Sequence, residues 1–152
     1  MLDVVSEEGG KTYMVIEYVE GVTLRRWMQE HREDGIVPAK FSMPILKQLA
    51  SALDVAHAYN EIHRHLMPEC IMVNESGTAK ILNLGIPYAG SDNEWMREPW
   101  KQTGWEAFYR APEQWRGQIC TTWTDLYALV CIAYEMLSGH VPFDIPDLNL
   151  LN

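Results

Sequence analysis

I-H-R-H-L-M-P-E-C-I-M-V-N-E-S-G-T-A-K-I-L-N-L-G-I, from Ile62 to Ile86, is the stretch on which the fold turns. Its middle reads as a small hairpin. Ile71-Met72-Val73 and Ala79 to Leu82 are β-like runs, and Glu75-Ser76-Gly77 is the turn between them. The hairpin is flanked by residues able to do chemistry: His63, Arg64, His65 and Cys70 before it, and Asn83 after it.

Working outward, the upstream segment carries Ile45, Leu46, Leu49, Ala52, Leu53 and Ala56 on one helical stripe. This spacing predicts a helix over residues 42–58, with Ser42 as its cap and Pro44 in its first turn. Downstream, Leu126, Leu129, Val130, Ala133, Tyr134 and Leu137 share a face. Cys131 and Ile132 extend the apolar character around the segment, which predicts a helix over 123–138 buried nearly all round. Gly139 sits where a helix C-terminus favours glycine, and Pro142 blocks continuation. Thr23 caps a short helix bearing Leu24, Trp27 and Met28, which Asp34-Gly35 ends. Arg25, Arg26, Glu30, Arg32 and Glu33 read as its solvated face. At the start, Leu2 to Ser6 and Thr12 to Tyr18 form a second hairpin, turned at Gly9-Gly10. Residues 85–110 have no clear period and read as a long loop.

The 152 residues suit one domain, and 22% charged residues exclude a disordered tail. A net charge of −9 lacks the basic footprint of a nucleic-acid binder and disfavours anionic membranes. No apolar run is long enough for a membrane span, and no signal peptide opens the chain. Three cysteines without a C-x-x-C pair point to a reducing, cytoplasmic setting.

The Ile62–Ile86 stretch resembles the catalytic core of protein kinases, most of all the bacterial serine/threonine kinases. The family's pattern is H-R-D-L-K-P-E-N followed by D-F-G, and residues 65 and 83 stand at the family's spacing of 18 positions. Tyr13 to Gly21, Y-M-V-I-E-Y-V-E-G, resembles the strand and hinge that grip adenine. Phe108 to Gln114, F-Y-R-A-P-E-Q, contains the Ala-Pro-Glu that closes the activation segment. Thr124 to Leu129, T-D-L-Y-A-L, resembles the start of the buried helix that anchors the catalytic loop. The motifs come in family order, and together they are specific. The resemblance implies a mainly α (α+β) fold. It is a kinase-like large lobe with two short β hairpins, lacking most of the small lobe and the C-terminal helices. It also implies a single truncated domain over 1–152, in which 1–21 is a remnant of small lobe and hinge and 22–152 a partial large lobe.

At the positions of the chemistry the residues differ from the family's. The base aspartate is matched by His65, and the lysine that steadies the transferred phosphate by Met67. The magnesium-binding asparagine is matched by Cys70, and the D-F-G aspartate by Asn83. Magnesium prefers hard oxygen ligands, so a thiol is a poor substitute. A base contributes ~10²–10⁴ in rate, and charge stabilisation of phosphoryl transfer more. Together these losses imply an inactive, pseudokinase-like module. No G-x-G-x-x-G loop and no V-A-I-K-like lysine occur in the sequence.

The structural positions persist. By resemblance, His63, Arg64 and Asp125 hold the catalytic loop, and Leu84 joins Leu2, His63 and Asp125 in an internal spine. Glu113 should lack the arginine with which the family's glutamate pairs. Glu17, Val19 and Met72 are weak nucleotide contacts by resemblance, with Leu24, Ile71, Met72 and Val73 as an adenine floor. A soft metal site at His63, His65 and Cys70 lacks a fourth ligand at recognised spacing. Trp95, Trp100, Trp105, Phe108, Tyr109, Trp115 and Trp123 are either a protein-docking surface or a cover for core.

The expected function is therefore an interaction or regulatory module. It needs no cofactor and engages a protein partner or a second copy rather than nucleic acid or membrane. The alternatives are a serine/threonine kinase using ATP and magnesium once completed by other segments, and a non-functional gene fragment.

Overall fold

The computed structural model describes residues 3–6, 12–84 and 105–143. The side chains of 3–6, 12–14, 105 and 106 are not among those described. The expected spine residue Leu2, together with Trp95, Trp100 and the Trp105 side chain, lies outside them.

Strands β1 (Asp3–Ser6) and β2 (Thr12–Val15) pair antiparallel as the first hairpin. Strand β2 stops before Ile16, and Ile16 to Tyr18 run on exposed. A strand that the sequence reading did not identify, β3 (Val22–Thr23), leads directly into α1 (Leu24–Glu30). At two residues it is too short to show a period. It joins β4 (Ile71–Val73) and β5 (Ala79–Ile81) in a three-stranded antiparallel sheet of order β3-β4-β5. The Oγ1 of Thr23 caps α1 by accepting from the Arg26 amide at 3.3 Å. The helix ends at Glu30, before Asp34-Gly35, and the chain turns there between the bridged residues Glu33 and Ile36.

Helix α2 spans Ala39–Ala58 and begins three residues earlier than expected. Pro38, not Ser42, precedes its first turn, because the Pro38 carbonyl receives the Phe41 and Ser42 amides. Ser42 is buried inside the helix and its hydroxyl bonds the same carbonyl at 3.3 Å, so its side chain is turned back on the helix. Pro44 consequently lies inside the helix. Of the loop expected over 85–110, residues 85–104 lie outside the described residues. Trp105–Tyr109 form a 3₁₀ turn, and a short helix α3 (Pro112–Trp115) follows.

Helix α4 spans Thr122–Ser138, with Thr121 and Thr124 capping each other reciprocally. Gly139 closes it at φ +83. An added Cβ there would lie 2.4 Å from the Gly35 carbonyl, so glycine is required both by φ and by the close approach. The core lies where α1, α2, the β3-β4-β5 sheet and α4 meet. Leu24, Met28, Leu49, Leu53, Ile71 and Ile132 are fully buried there. The expectation that α4 is buried all round does not hold. Trp123 and Val130 are 73% and 66% exposed, because among the described residues α2 and the 3₁₀ turn cover one side of α4.

Candidate functional site

The loop from His63 to Cys70 is held from behind by Asp125, which α4 presents in its first turn with no solvent exposure. One Asp125 oxygen accepts from the His63 amide at 2.9 Å and faces His57 Nε2 at 2.8 Å. The other accepts from the Arg64 amide at 2.8 Å. Arg64 has φ +66, an unfavourable region for a side chain that large. Gripping the two amides that flank His63 fixes the chain leading into that conformation.

His63 is buried, with both ring nitrogens engaged. Nε2 lies 2.8 Å from the Leu82 carbonyl, which can only accept, so Nε2 carries the proton. Nδ1 accepts the His65 amide at 3.3 Å. The ring is therefore neutral. Burial lowers its affinity for a second proton, against the smaller opposing pull of Leu82 and Asp125. The ring thus ties the loop to the end of β5, next to Asn83.

The four residues expected at the family's chemical positions sit around this frame. His65 lines a narrow cleft with Arg64, Met67, Tyr109, Arg110 and Gln114. Met67 packs against the hydrophobic core. Cys70 is buried in a 3₁₀ turn, Pro68–Cys70, and its thiol lies 3.4 Å from the His65 carbonyl. Asn83 is exposed at φ +62, a conformation that asparagine tolerates well. His63, His65 and Cys70 do not form a metal site: the His63 ring is used up and the Cys70 thiol faces a carbonyl. Among the described residues no three His, Cys, Asp or Glu side chains converge.

The expected adenine floor is divided by strand alternation. Met72 pairs with Thr23 on one side and Lys80 on the other, so these three share a face. Ile71 and Val73 point the opposite way, into the core with Leu24. Lys80 ion-pairs with the exposed Glu17. Val19 is half-buried. Leu84, expected in an internal spine, is 37% exposed. The Glu113 carboxylate accepts from the Thr124 hydroxyl at 2.6 Å, which joins α3 to α4. Gln114 ties the same helix to the loop by donating to the Arg64 carbonyl at 2.6 Å.

The sequence reading missed one cluster entirely. Arg25 was placed on a solvated face, yet its guanidinium bonds Glu69 at 2.8 Å, the Tyr109 hydroxyl at 2.6 Å and Glu135. The Tyr109 hydroxyl donates to Glu135, and Arg32 stands 3.7 Å from it. Burial by itself would ease proton loss from Arg25, but Glu69, Tyr109 and Glu135 outweigh it and hold the cation. Burial, then Glu135, pushes the Tyr109 phenol up. The only signal in the sequence was the poor fit of a charged Glu135 on an apolar helix. The aromatic residues fall into two groups: Tyr109 is 2% exposed and Phe108 packs on the core, whereas Trp123 faces solvent.

Among the described residues no helix is long and apolar enough to cross a membrane. Comparison with known proteins gives one consistent answer. The model of the protein kinase domain matches residues 1–150. A probable serine/threonine-protein kinase, PknB, of Lactococcus lactis is 34% identical over 140 residues, 92% of this chain and 22% of the relative. PrkC, a serine/threonine-protein kinase of Bacillus subtilis, is 33% identical over 138 residues, 91% of this chain and 20% of the relative. A probable serine/threonine-protein kinase of Clostridium perfringens is 37% identical over 132 residues, 87% and 18% of the two chains. The chain thus spans about a fifth of the length of these relatives. With a buried-aspartate-held loop, a hairpin and a long helix in the order expected of the family, and the domain model matching residues 1–150 of the chain, the chain belongs to the protein kinase domain family.

Proposed function

We propose that this chain is a catalytically inactive, kinase-like module over residues 1–152 that acts by binding protein. The observation that carries the reading is the contrast between frame and chemistry. Asp125, His57, His63, Gln114 and Glu113 hold the loop with short hydrogen bonds. The positions that handle phosphate and metal hold His65, Met67, Cys70 and Asn83.

The donor set does not fit magnesium and a triphosphate. Cys70 offers a buried soft thiol turned toward a carbonyl, and Asn83 a neutral oxygen. Met67 packs on the core and carries no charge to place on a phosphate. Three buried cysteines outside any disulfide support a reducing, cytoplasmic setting.

The second reading is an ATP-dependent serine/threonine kinase. It is favoured by the names of the relatives and by the intact grip on the loop. One experiment separates the two: incubation with labelled ATP, magnesium and a generic protein acceptor, beside a His65→Ala chain. The expected result is label transfer at background in both. Transfer above background that His65→Ala abolishes would establish the kinase reading instead.

A further inference from the structure

The peptide that joins Arg64 to His65 is held at both poles by side chains. Its carbonyl accepts from Gln114 Nε2 at 2.6 Å, and its N–H donates to His63 Nδ1 at 3.3 Å. Gln114 is itself fixed at the start of α3, because its Oε1 accepts from the Ala111 amide at 3.0 Å. The two preceding amides donate to Asp125 at 2.9 and 2.8 Å. Of these four bonds to the loop, the one to His63 is the longest and so the weakest.

The three clasps answer a proton differently. Gln114 has nothing to titrate, and carboxylates as a class take protons at much lower pH than imidazoles. The His63 ring already spends its Nε2–H on the Leu82 carbonyl at 2.8 Å, so an added proton goes on Nδ1, where it points at the His65 N–H. Two donors then face each other and no bond forms. The buried ring stays tied to Leu82, so the peptide is the part that turns. The strain of Arg64 at φ +66 adds to the release.

We propose that His63 is an acid-operated clasp, whose protonation at Nδ1 expels the His65 amide and lets the 64–65 peptide turn while Asp125 keeps hold of the amides of 63 and 64. The turn reorients His65 in the cleft that it lines with Met67, Tyr109 and Arg110. It also moves the carbonyl that faces the Cys70 thiol. The ionisable groups brought to this corner by the described residues are Asp125 from α4, His57 from α2, and Arg64, His65 and Cys70 of the loop; β5 supplies the Leu82 carbonyl and α3 the uncharged Gln114. His57 does not work the clasp. Its Nε2 faces Asp125 at 2.8 Å, and a second proton on that ring leaves this contact in place. Burial resists the charged His63 ring more than Leu82 and Asp125 favour it, so the clasp opens below the ordinary imidazole value of 6.5.

The test uses the full chain. Amide exchange, corrected for its intrinsic pH dependence, is followed from about pH 7.5 to about pH 5.5 beside the ring shifts of the histidines. The open form gains on the closed form by up to about tenfold per pH unit below the ordinary value, so protection of the His65 amide should fall by that factor. The His65 amide shift should move with the midpoint of the His63 ring, and the amides of 63 and 64 should keep their protection. His65→Gln, which removes the neighbouring ring and keeps the amide, should respond in the same way. Any of four results overturns the proposal: constant protection at His65 while the His63 ring titrates, an equal loss at 63 and 64, a response that vanishes in His65→Gln, or a His63 ring that takes up no proton over this range.

Discussion

Removing the Asp125 carboxylate should release the loop that carries all but one of the chemical positions. In Asp125→Ala, the His63 and Arg64 amides and the His57 ring lose an acceptor at 2.8–2.9 Å. A hydrogen bond to a charged group contributes ~1.5–3 kcal/mol, and a buried donor left unpaired costs ~1–3 kcal/mol. The site has no solvent exposure, so water cannot fully replace the carboxylate without opening the loop. Non-additivity and partial rehydration reduce the sum to about 3–5 kcal/mol. At ~2–4 °C per kcal/mol for a chain of this size, Tm should fall by roughly 10 °C. Urea unfolding followed by circular dichroism reads the loss, and amide exchange at residues 63 and 64 locates it. Asp125→Asn keeps an acceptor for some of these donors and should lose roughly half as much. Asp54→Ala, on the exposed side of α2, should stay within ~0.5 kcal/mol of the parent. An Asp125→Ala chain that melts with the parent and keeps both amides protected would refute the claim that this carboxylate holds the loop.

Three further outcomes follow from the same geometry. Gly139→Ala meets both a φ of +83 and a Gly35 carbonyl 2.4 Å from the new Cβ, whereas Gly117→Ala at φ +64 meets nothing; urea melts should show Gly117→Ala losing ~1 kcal/mol and Gly139→Ala clearly more. Burial lowers the folded His63 pKa below its unfolded value near 6.5, so the unfolded chain binds more protons; stability should fall as pH drops from 6.5 through the folded pKa, and His63→Asn should flatten this part of a Tm-against-pH profile. Arg25→Ala strands Glu135 and Glu69 near one another without their shared cation, so it should cost about 3–5 kcal/mol in urea unfolding; Arg26→Ala, whose pair with Glu30 is exposed, should lose at most ~0.5 kcal/mol.

The apolar period was enough to place α2 and α4 within a few residues, since each buries a continuous stripe. It misjudged where α2 begins, because Ser42 has the composition of a cap but its hydroxyl turns back on the Pro38 carbonyl. It overstated the burial of α4, because an apolar residue at a helical position records that burial is favourable, not that a neighbour is present. The run expected as an adenine floor was ambiguous for a different reason. Ile71, Met72 and Val73 look alike as a run, and only pairing with Thr23 and Lys80 shows which of them face the core.

By itself the sequence determined the family, the hairpin at 71–81 and the two long helices. These depend on residue type and on spacings within a single turn or strand, which a linear reading samples directly. The tertiary structure alone decided that Arg25 meets Glu135 across 110 positions, that Glu113 takes the Thr124 hydroxyl, and that the described residues cover α4 on one side. A charged side chain can satisfy itself with any compatible partner that packing brings within about 3 Å. Packing is a property of the whole chain, so no local pattern encodes the choice.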